Sequence, residues 1–405
     1  MNDRNDAIMY QNQIGGQRQN PLALLRQSLF LAVFAVLPVV GLVSGPAYAP
    51  LLFGLAGLST LLWAAESRRW PALDRPVTLI ALVFLLICAV GLLDTFSPRL
   101  TQTRLGQMAG ITAGSLLLLA LPVGARLADR LFQVLFWAVS LGAAVLILDT
   151  RLGYPLQHAL GGAAENIGTK YNRGIIALVI LCWPLAANLM ARGQRLKARL
   201  LLAIVALGSV AGLSATGLAA LLAGIVVWLL AWLAPRFAAI ALGTGMSGLA
   251  LALPGLMRLA SGHRAELATK VKSSGIHRLE IWDYMSARIL ERPVEGWGLG
   301  AAKVVPIHAQ ELATYLYADA TGIYPHNQWI ELWLETGLPG VLAALALVLL
   351  TLWRLRGPWR PYGLAAVAAA LTASLLNFEI TTDSWWAGLA AAALLFRLLP
   401  TEGEA

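Results

Sequence analysis

The sequence predicts an all-α polytopic membrane protein with about 12 transmembrane helices. Hydrophobic residues make up 58% of its 405 residues and charged residues only 13%, roughly half of the ~25% that soluble domains carry. The mean hydropathy is +0.70. The apolar residues form continuous runs rather than alternating with polar ones, which excludes a closed β-barrel. The same composition excludes a soluble globular enzyme and a disordered chain.

Twelve apolar runs reach, or nearly reach, the ~20 residues that an α-helix needs to cross the hydrocarbon layer. They cover residues 27–45, 50–65, 76–93, 106–122, 131–149, 174–190, 199–214, 217–233, 237–255, 338–354, 361–377 and 383–399. Cys88 and Cys182 both lie inside apolar runs, so the sequence predicts neither a disulfide nor a thiolate metal site.

The distribution of charge orients these helices. When the N-terminus is placed in the cytoplasm, the cytoplasmic segments hold 17 of the 30 basic residues but only 7 of the 21 acidic ones. Because short cytoplasmic loops of membrane proteins are enriched in Lys and Arg, both termini are predicted to be cytoplasmic.

This topology divides the chain into five parts. They are a cytoplasmic N-terminal tail over 1–26, transmembrane helices 1–9 over 27–255, a large and partly helical outer loop over 256–337, transmembrane helices 10–12 over 338–399 and a C-terminal tail over 400–405. Ala47-Tyr48-Ala49 resembles a signal-peptidase site. However, the polar leader is long and the apolar run exceeds the usual 7–15 residues, so we expect the first helix to stay uncleaved.

Groups that could perform chemistry are concentrated outside the membrane. The apolar spans contain almost no ionisable residues, whereas four of the five histidines lie in the 256–337 loop. No two histidines have the spacing of a metal-binding motif, so no metal site is predicted. We therefore expect the chemistry at the outer membrane surface.

His326 is the first candidate, because it lies just before an amphipathic turn of helix that leads into the tenth span. A histidine there suits general-base work near neutral pH, which contributes about 10²–10⁴-fold. The alternative is a histidine packed in an interfacial belt of Trp and Tyr. We expect Trp329 and Trp333 to be interfacial anchors, and Gly337 and Gly340 to shape the turn into the membrane.

Two arginines are the second candidates. Arg173 ends an outer loop and starts the sixth span, and Arg278 lies in an amphipathic part of the 256–337 loop. A guanidinium forms paired hydrogen bonds to phosphate oxygens and keeps its charge when partly desolvated. The alternatives are contact with lipid headgroups and pairing with Glu280 or Asp283.

The motif around His326 resembles that of a known family. His326-Asn327, then Gly337 after nine residues and Gly340 after two more, resembles the histidine motif of bacterial O-antigen ligases. Further features are similar to the wider O-antigen ligase/polymerase family: the twelve spans, the late outer loop, Arg278 followed by Trp282, the Gly296–Gly300 turn, and Asn172-Arg173 opening a helix that ends near Trp183-Pro184. The resemblance covers the chain roughly from helix two to helix eleven.

The resemblance implies a GT-C-type glycosyltransferase of the Gram-negative inner membrane that is active on the periplasmic face. Such ligases move a completed O-antigen glycan from undecaprenyl diphosphate to the lipid A–core, invert the anomeric centre, and need no cofactor, neither ATP nor a metal. By this resemblance His326 would take the proton from the acceptor hydroxyl, and Arg278 and Arg173 would bind the diphosphate. The further substrate-binding candidates are Lys170, Arg264, His277, Asn327 and Trp282.

The sequence departs from the family at one place. Many relatives carry an arginine after a serine near the outer end of helix seven, where this chain reads Leu213-Ser214-Ala215-Thr216-Gly217. Either Arg173 or another loop residue takes the task of that arginine.

The sequence leaves other functions open. An O-antigen polymerase or a protein O-oligosaccharyltransferase would use the same donor with a different acceptor. A lipid or solute transporter would carry broken helices, paired repeats and intramembrane charges, none of which is clear in the sequence. A scaffold protein would have no catalytic or binding role for His326, Arg278 and Arg173.

Overall fold

The computed structural model describes residues 20–160, 170–270, 273–305, 315 and 325–400. Within these ranges the chain is helical, and each of the twelve predicted spans falls largely within one long helix. Most of the two predicted tails (1–19 and 401–405), and residues such as Glu165, Asn166, His308 and Tyr324, lie outside the described residues, and the first helix begins within the predicted N-terminal tail, at Pro21.

The helices are numbered here in chain order. They are α1 (Pro21–Val43), α2 (Gly45–Ser67), α3 (Arg75–Val90), α4 (Pro98–Ala120), α5 (Ala125–Arg151), α6 (Pro155–Ala159), α7 (Asn172–Ala191), α8 (Arg195–Ala211), α9 (Ala215–Leu233), α10 (Pro235–Ser261), α11 (Arg264–Ala268), α12 (Ser273–Glu291), α13 (Gln328–Arg354), α14 (Arg360–Leu376) and α15 (Asp383–Arg397).

Seven of these helices are long and apolar enough to cross a membrane: α1, α2, α5, α7, α9, α10 and α13. This supports a polytopic helical membrane protein. For the remaining five long helices that match predicted spans (α3, α4, α8, α14 and α15), the membrane crossing stays a prediction. Each is between 15 and 23 residues long, and helices at the short end span only a thin or locally thinned hydrocarbon layer.

Helix α7 lies at the centre of the bundle. Most of its residues are buried, and it packs against α1, α5, α8, α9, α14 and α15. Small residues allow this close approach: a side chain at Gly174 would come within 2.6 Å of the Gly41 carbonyl oxygen. Close backbone contact is the usual way in which membrane helices gain packing energy, because lipid tails leave little hydrophobic driving force. The first turn of α7, which carries Arg173, is thereby fixed.

Residues predicted to be cytoplasmic meet across helices in the structure. Arg354 makes two hydrogen bonds to Asp74, at 2.7 and 3.1 Å, Arg26 lies 3.6 Å from Glu66, and Arg192 pairs with Asp129. These contacts join loops that the positive-inside rule placed on one side. They agree with the predicted alternation of the helices, while the assignment of that side to the cytoplasm stays a prediction.

Helix α13 is bent where the sequence predicted a turn into the membrane. Two helical parts meet in a kink at Gly337, whose φ is +61° and ψ −164°, a conformation that is essentially restricted to glycine. The part before Gly337 is buried among other helices and the part after it is the apolar span. The predicted bend at Gly337 is present, while entry into the membrane and the boundary of the outer loop at this residue stay predictions.

Candidate active site

His326 lies at one end of the bundle and is fixed on both sides. The Trp282 indole N–H donates to the Pro325 carbonyl oxygen at 2.6 Å. On the other side Asn327 caps α13, because its Oδ1 accepts from the backbone N–H groups of Trp329 and Ile330 at 3.0 and 3.2 Å. His326 itself has φ +53°, a left-handed conformation that costs of order 1–3 kcal/mol in a non-glycine residue and that is typical of functional sites.

Positive charges surround this histidine. The pKa of His326 is lowered from its ordinary value of 6.5 to about 4. Burial contributes most, and the charges of Arg278, His277 and Arg173 contribute the rest. The imidazole is therefore neutral at pH 7, with a lone pair that can accept a proton. The three residues that the sequence singled out for catalysis lie close enough to act on one another electrostatically.

The two arginines reach this place from different helices. Arg278 is on the first half of α12 and donates to the Leu376 carbonyl oxygen, at the end of α14, at 3.4 Å. Arg173 is exposed on the first turn of α7, and its Cδ would lie 3.9 Å from a side chain placed at Gly45. The alternative partner Asp283 is occupied by other groups, since it binds Arg258 at 2.7 Å and the Tyr315 hydroxyl at 3.2 Å.

The position at which relatives carry an arginine lies beside Arg173. The Ser214 hydroxyl donates to the Asn172 side chain and also accepts from the Gly217 N–H at 3.0 Å. The start of α9 thus contacts the start of α7. Ala215 and Thr216 cannot supply a positive charge, but Arg173 lies next to Asn172 and can place one in the same region.

The other predicted substrate-binding residues have different surroundings. His277 is half-buried next to Arg278, and Lys170 is exposed three residues before Arg173. Arg264 donates to Ser261 at 3.4 Å and lies 5.8 Å from the centre of the Tyr315 ring. Trp282 and Asn327 make the hydrogen bonds that fix the segment around His326. Contact with a substrate stays a prediction for all five residues.

Trp329 and Trp333 are not interfacial anchors, and this prediction was wrong. Their side chains are only 5% and 7% exposed. The Trp329 indole donates to Ser374 Oγ at 3.0 Å and the Trp333 indole to the Ala250 carbonyl oxygen at 2.7 Å. They pack inside the protein because the helix they share is covered by α10, α12 and α14.

Two buried glutamates, Glu331 and Glu335, lie in the helix that follows His326. Glu331 Oε2 accepts from the Ile380 N–H at 2.7 Å, and Glu335 Oε1 accepts from the Ala302 N–H at 3.4 Å. Both carboxyl groups are nearly inaccessible. Sequence reasoning assigned them no role. The signal that could have found them is two glutamates one helical turn apart in an otherwise apolar motif, because buried carboxylates persist only when they are paired or hydrogen-bonded.

A backbone clamp joins α13 to the glycine-rich turn that follows α12. The Trp297 N–H donates to the Leu334 carbonyl oxygen at 2.8 Å, and the Leu338 N–H donates to the Pro293 carbonyl oxygen at 2.9 Å. No side chain fits between the two segments, since a Cβ on Gly337 would lie 2.1 Å from the Val294 carbonyl oxygen. The clamp holds the bend of α13, about ten residues after His326, against the turn that follows α12.

The fold and the site define a polytopic α-helical membrane protein with a neutral histidine held among positive charges at one end of its bundle. Comparison with known sequences finds a family that matches part of the chain. Residues 200–345 match the O-antigen ligase family, a segment that contains Arg278 and His326 but not Arg173. Over this segment the chain is similar to O-antigen ligases.

Two named relatives are similar to a comparable part of the chain. The chain is 27% identical over 184 residues to a Rickettsia conorii protein named "Putative polysaccharide ligase", and 26% identical over 188 residues to a Rickettsia typhi protein of the same description. In each case the match covers 44% of this chain and 44% of the relative. The chain therefore matches less than half the length of these relatives.

Proposed function

We propose that this protein is an O-antigen ligase that moves a glycan from undecaprenyl diphosphate to the lipid A–core on the periplasmic face of the inner membrane. The observation that carries the proposal is the neutral His326 beside Arg278 and Arg173. His326 takes the proton of the acceptor hydroxyl, which then attacks the anomeric carbon of the glycan. The two guanidinium groups bind the diphosphate and stabilise the charge that develops on it as it leaves.

Both substrates are lipids, so their reacting ends meet at one membrane surface. This confinement favours encounter and orientation before any chemistry takes place. The attack displaces the diphosphate from the opposite side, which inverts the anomeric centre. The reaction needs one proton acceptor and positive charge on the leaving group, and we propose that it proceeds without ATP or a metal ion.

Binding of the donor also adjusts the base. A pKa of about 4 makes His326 a weak base before the donor binds. The negative diphosphate offsets the charges of Arg278 and Arg173, and it thereby raises the pKa of His326 in the complex. The histidine becomes a stronger base only when the donor is in place.

We therefore expect two different pH profiles. The profile of kcat/KM reports the free enzyme and should stay flat from pH 7 down to about pH 5, then fall near pH 4 as His326 is protonated. The profile of kcat reports the complex and should fall at a higher pH. Both are measured from initial rates of glycan transfer in buffers of constant ionic strength. A kcat/KM profile that falls near pH 6.5 would contradict the charged surroundings described for His326.

Arg278→Lys should impair transfer although it retains the positive charge. A lysine ammonium cannot form the paired hydrogen bonds of a guanidinium to phosphate oxygens, and the loss of one such donor to developing charge costs about 10²–10³-fold in kcat. The measurement is the initial rate of transfer over a series of donor concentrations. The matched control is Arg199→Lys, which lies on the exposed surface of α8 and should leave the rate unchanged. Equal rates in the two variants would remove the diphosphate role from Arg278.

Reconstitution of the purified protein tests the function itself. Proteoliposomes would contain lipid A–core and undecaprenyl-diphosphate glycan, with a chelator present and no nucleotide added. Glycan on lipid A–core supports the ligase. Growth of the glycan on its own lipid carrier would show a polymerase instead, and transfer that requires an added divalent cation would overturn the metal-free mechanism.

A further inference from the structure

A pocket lies beside Arg173, between α1, α2, α7 and α15. Its walls include glycines at 45 and 388 and two aromatic side chains, Phe378 and Trp385. The two rings are stacked, with centroids 4.3 Å apart and planes inclined by 15°. A side chain at Gly388 would meet only the Tyr48 hydroxyl, at 4.0 Å. The pocket is open because these two wall positions carry no side chain.

The Tyr48 hydroxyl is a hydrogen-bond donor that lines this pocket. The side chain is only 1% exposed, and its oxygen has no hydrogen-bond partner among the residues that the structure describes. Buried hydroxyl groups are nearly always hydrogen-bonded, because water is lost without compensation when they are not. The missing partner therefore indicates that the pocket takes a ligand that accepts a hydrogen bond from this hydroxyl.

The charge and polarity of the walls define the class of this ligand. Arg173 supplies a positive charge at the exposed side, Tyr48 supplies a neutral donor, and the remaining walls are mainly apolar. The enclosed part of the pocket is small, about 20 Å³, and has room for one oxygen atom beside Tyr48. The site therefore suits a phosphate that reaches in from Arg173, with the hydrocarbon chain of the same molecule along the outer apolar wall. Hydrocarbon packs well against aromatic faces and aliphatic side chains, here Phe378, Trp385 and Leu389.

We propose that this pocket binds the phosphate-proximal end of the donor lipid. Tyr48 donates to an oxygen of the diphosphate that Arg173 also binds, and the first isoprenoid units lie against Phe378 and Trp385. This inference rests on the proposed function, since Arg173 serves both. It assigns a binding task to α1, α2 and α15, which lie outside the segment that matches the family.

Binding of two probes to single variants in nanodiscs tests the proposal. The probes are farnesyl diphosphate, which has both a phosphate end and isoprenoid units, and inorganic diphosphate. Tyr48→Phe should lower the affinity for both probes by roughly tenfold or more, as expected for a lost hydrogen bond to a charged group. Gly388→Leu fills the apolar part of the pocket. It should lower the affinity for farnesyl diphosphate and leave the affinity for inorganic diphosphate unchanged. The matched control is Gly54→Leu on α2, where a side chain meets open space, and it should change neither affinity.

Thermal unfolding separates this binding role from a structural one. Without a probe, Tyr48→Phe should unfold at the same temperature as the wild type or higher, because it removes a buried hydroxyl that lacks a partner. With farnesyl diphosphate, the wild type should gain more stability than Tyr48→Phe does. An equal gain in both would overturn the role of Tyr48, and this result remains available even if Gly388→Leu does not fold.

The source of the lipid phosphate is tested in the same nanodiscs. If the pocket belongs to the donor, addition of phosphatidylglycerol should leave the affinity for farnesyl diphosphate unchanged within about twofold. Displacement of farnesyl diphosphate by phosphatidylglycerol would assign the pocket to a bilayer lipid and overturn the proposal. Wild-type affinities in both Tyr48→Phe and Gly388→Leu would also overturn it, while transfer to lipid A–core by the wild type would leave the ligase function standing.

Discussion

His326→Ala should abolish measurable glycan transfer while the protein remains folded. Removal of a positioned general base costs about 10²–10⁴-fold in rate. The substitution leaves Asn327 as the cap of α13 and leaves the Trp282–Pro325 hydrogen bond in place. Alanine tolerates the left-handed backbone of this position somewhat less well than histidine does, so the unfolding midpoint of the variant is measured beside its activity. Initial rates of transfer at saturating donor measure the effect.

A second histidine supplies the control for this experiment. His263 is exposed, and its Nδ1 lies 3.2 Å from the Leu259 carbonyl oxygen, away from the contacts that fix His326. His263→Ala should transfer glycan at the wild-type rate. Transfer by His326→Ala within tenfold of that of His263→Ala would remove the assignment of His326 as the base.

Gly337→Ala should give the largest loss of stability. The backbone of Gly337 has φ +61° and ψ −164°, and the new methyl group would lie 2.1 Å from the Val294 carbonyl oxygen. Strain of this conformation together with overpacking costs on the order of 3–5 kcal/mol. Relief requires the clamp between α13 and the 293–298 turn to open, which also displaces His326. We expect a lower thermal unfolding midpoint in nanodiscs and weak transfer.

The matched control is Gly54→Ala on α2. A side chain at Gly54 would meet nothing within 4 Å, and alanine in a helix interior is favoured over glycine by up to about 1 kcal/mol. Its unfolding midpoint should equal or slightly exceed that of the wild type. A wild-type midpoint for Gly337→Ala would show that the clamp does not hold α13 in place.

The positions of the helices could be predicted because hydropathy alone determines them. Each predicted span overlaps one helix, but several helices extend beyond the predicted spans. Helix α5 was predicted over 131–149 and runs from Ala125 to Arg151, because its first turns carry charges that a search for apolar runs leaves out. Helix α13 begins ten residues before the predicted span for a related reason: its first turns hold glutamates that are buried inside the protein.

The candidate site was only partly predictable. His326, Arg278 and Arg173 stand out by residue type and by their place outside the apolar runs, and the structure brings them together. The partners of Glu331 and Glu335 are backbone N–H groups far away in the chain, at Ile380 and Ala302, so no local pattern could reveal them. The spacing of Trp329 and Trp333 places both on one helix face but does not say whether lipid or protein covers that face.

The neighbourhood of Arg173 was likewise beyond prediction from the sequence. The chain lacks the arginine that relatives carry after Ser214, and the sequence left open which residue replaces it. The contact between Ser214 and Asn172 depends on how α7 and α9 pack. It places Arg173 near Ser214, and the replacement itself stays a prediction. Tyr48 also belongs to this neighbourhood, although its sequence suggested only a resemblance to a processing site.

The most direct test of the account compares donor affinity and transfer rate in the same His326→Ala protein. The affinity for the undecaprenyl-diphosphate glycan and the rate of a single turnover onto lipid A–core would be measured together in proteoliposomes. A base that does not hold the diphosphate predicts a dissociation constant within a few fold of the wild type and a transfer rate reduced by about 10²–10⁴-fold. Loss of donor binding with an unchanged single-turnover rate from the bound complex would contradict it, because His326 would then be a binding residue.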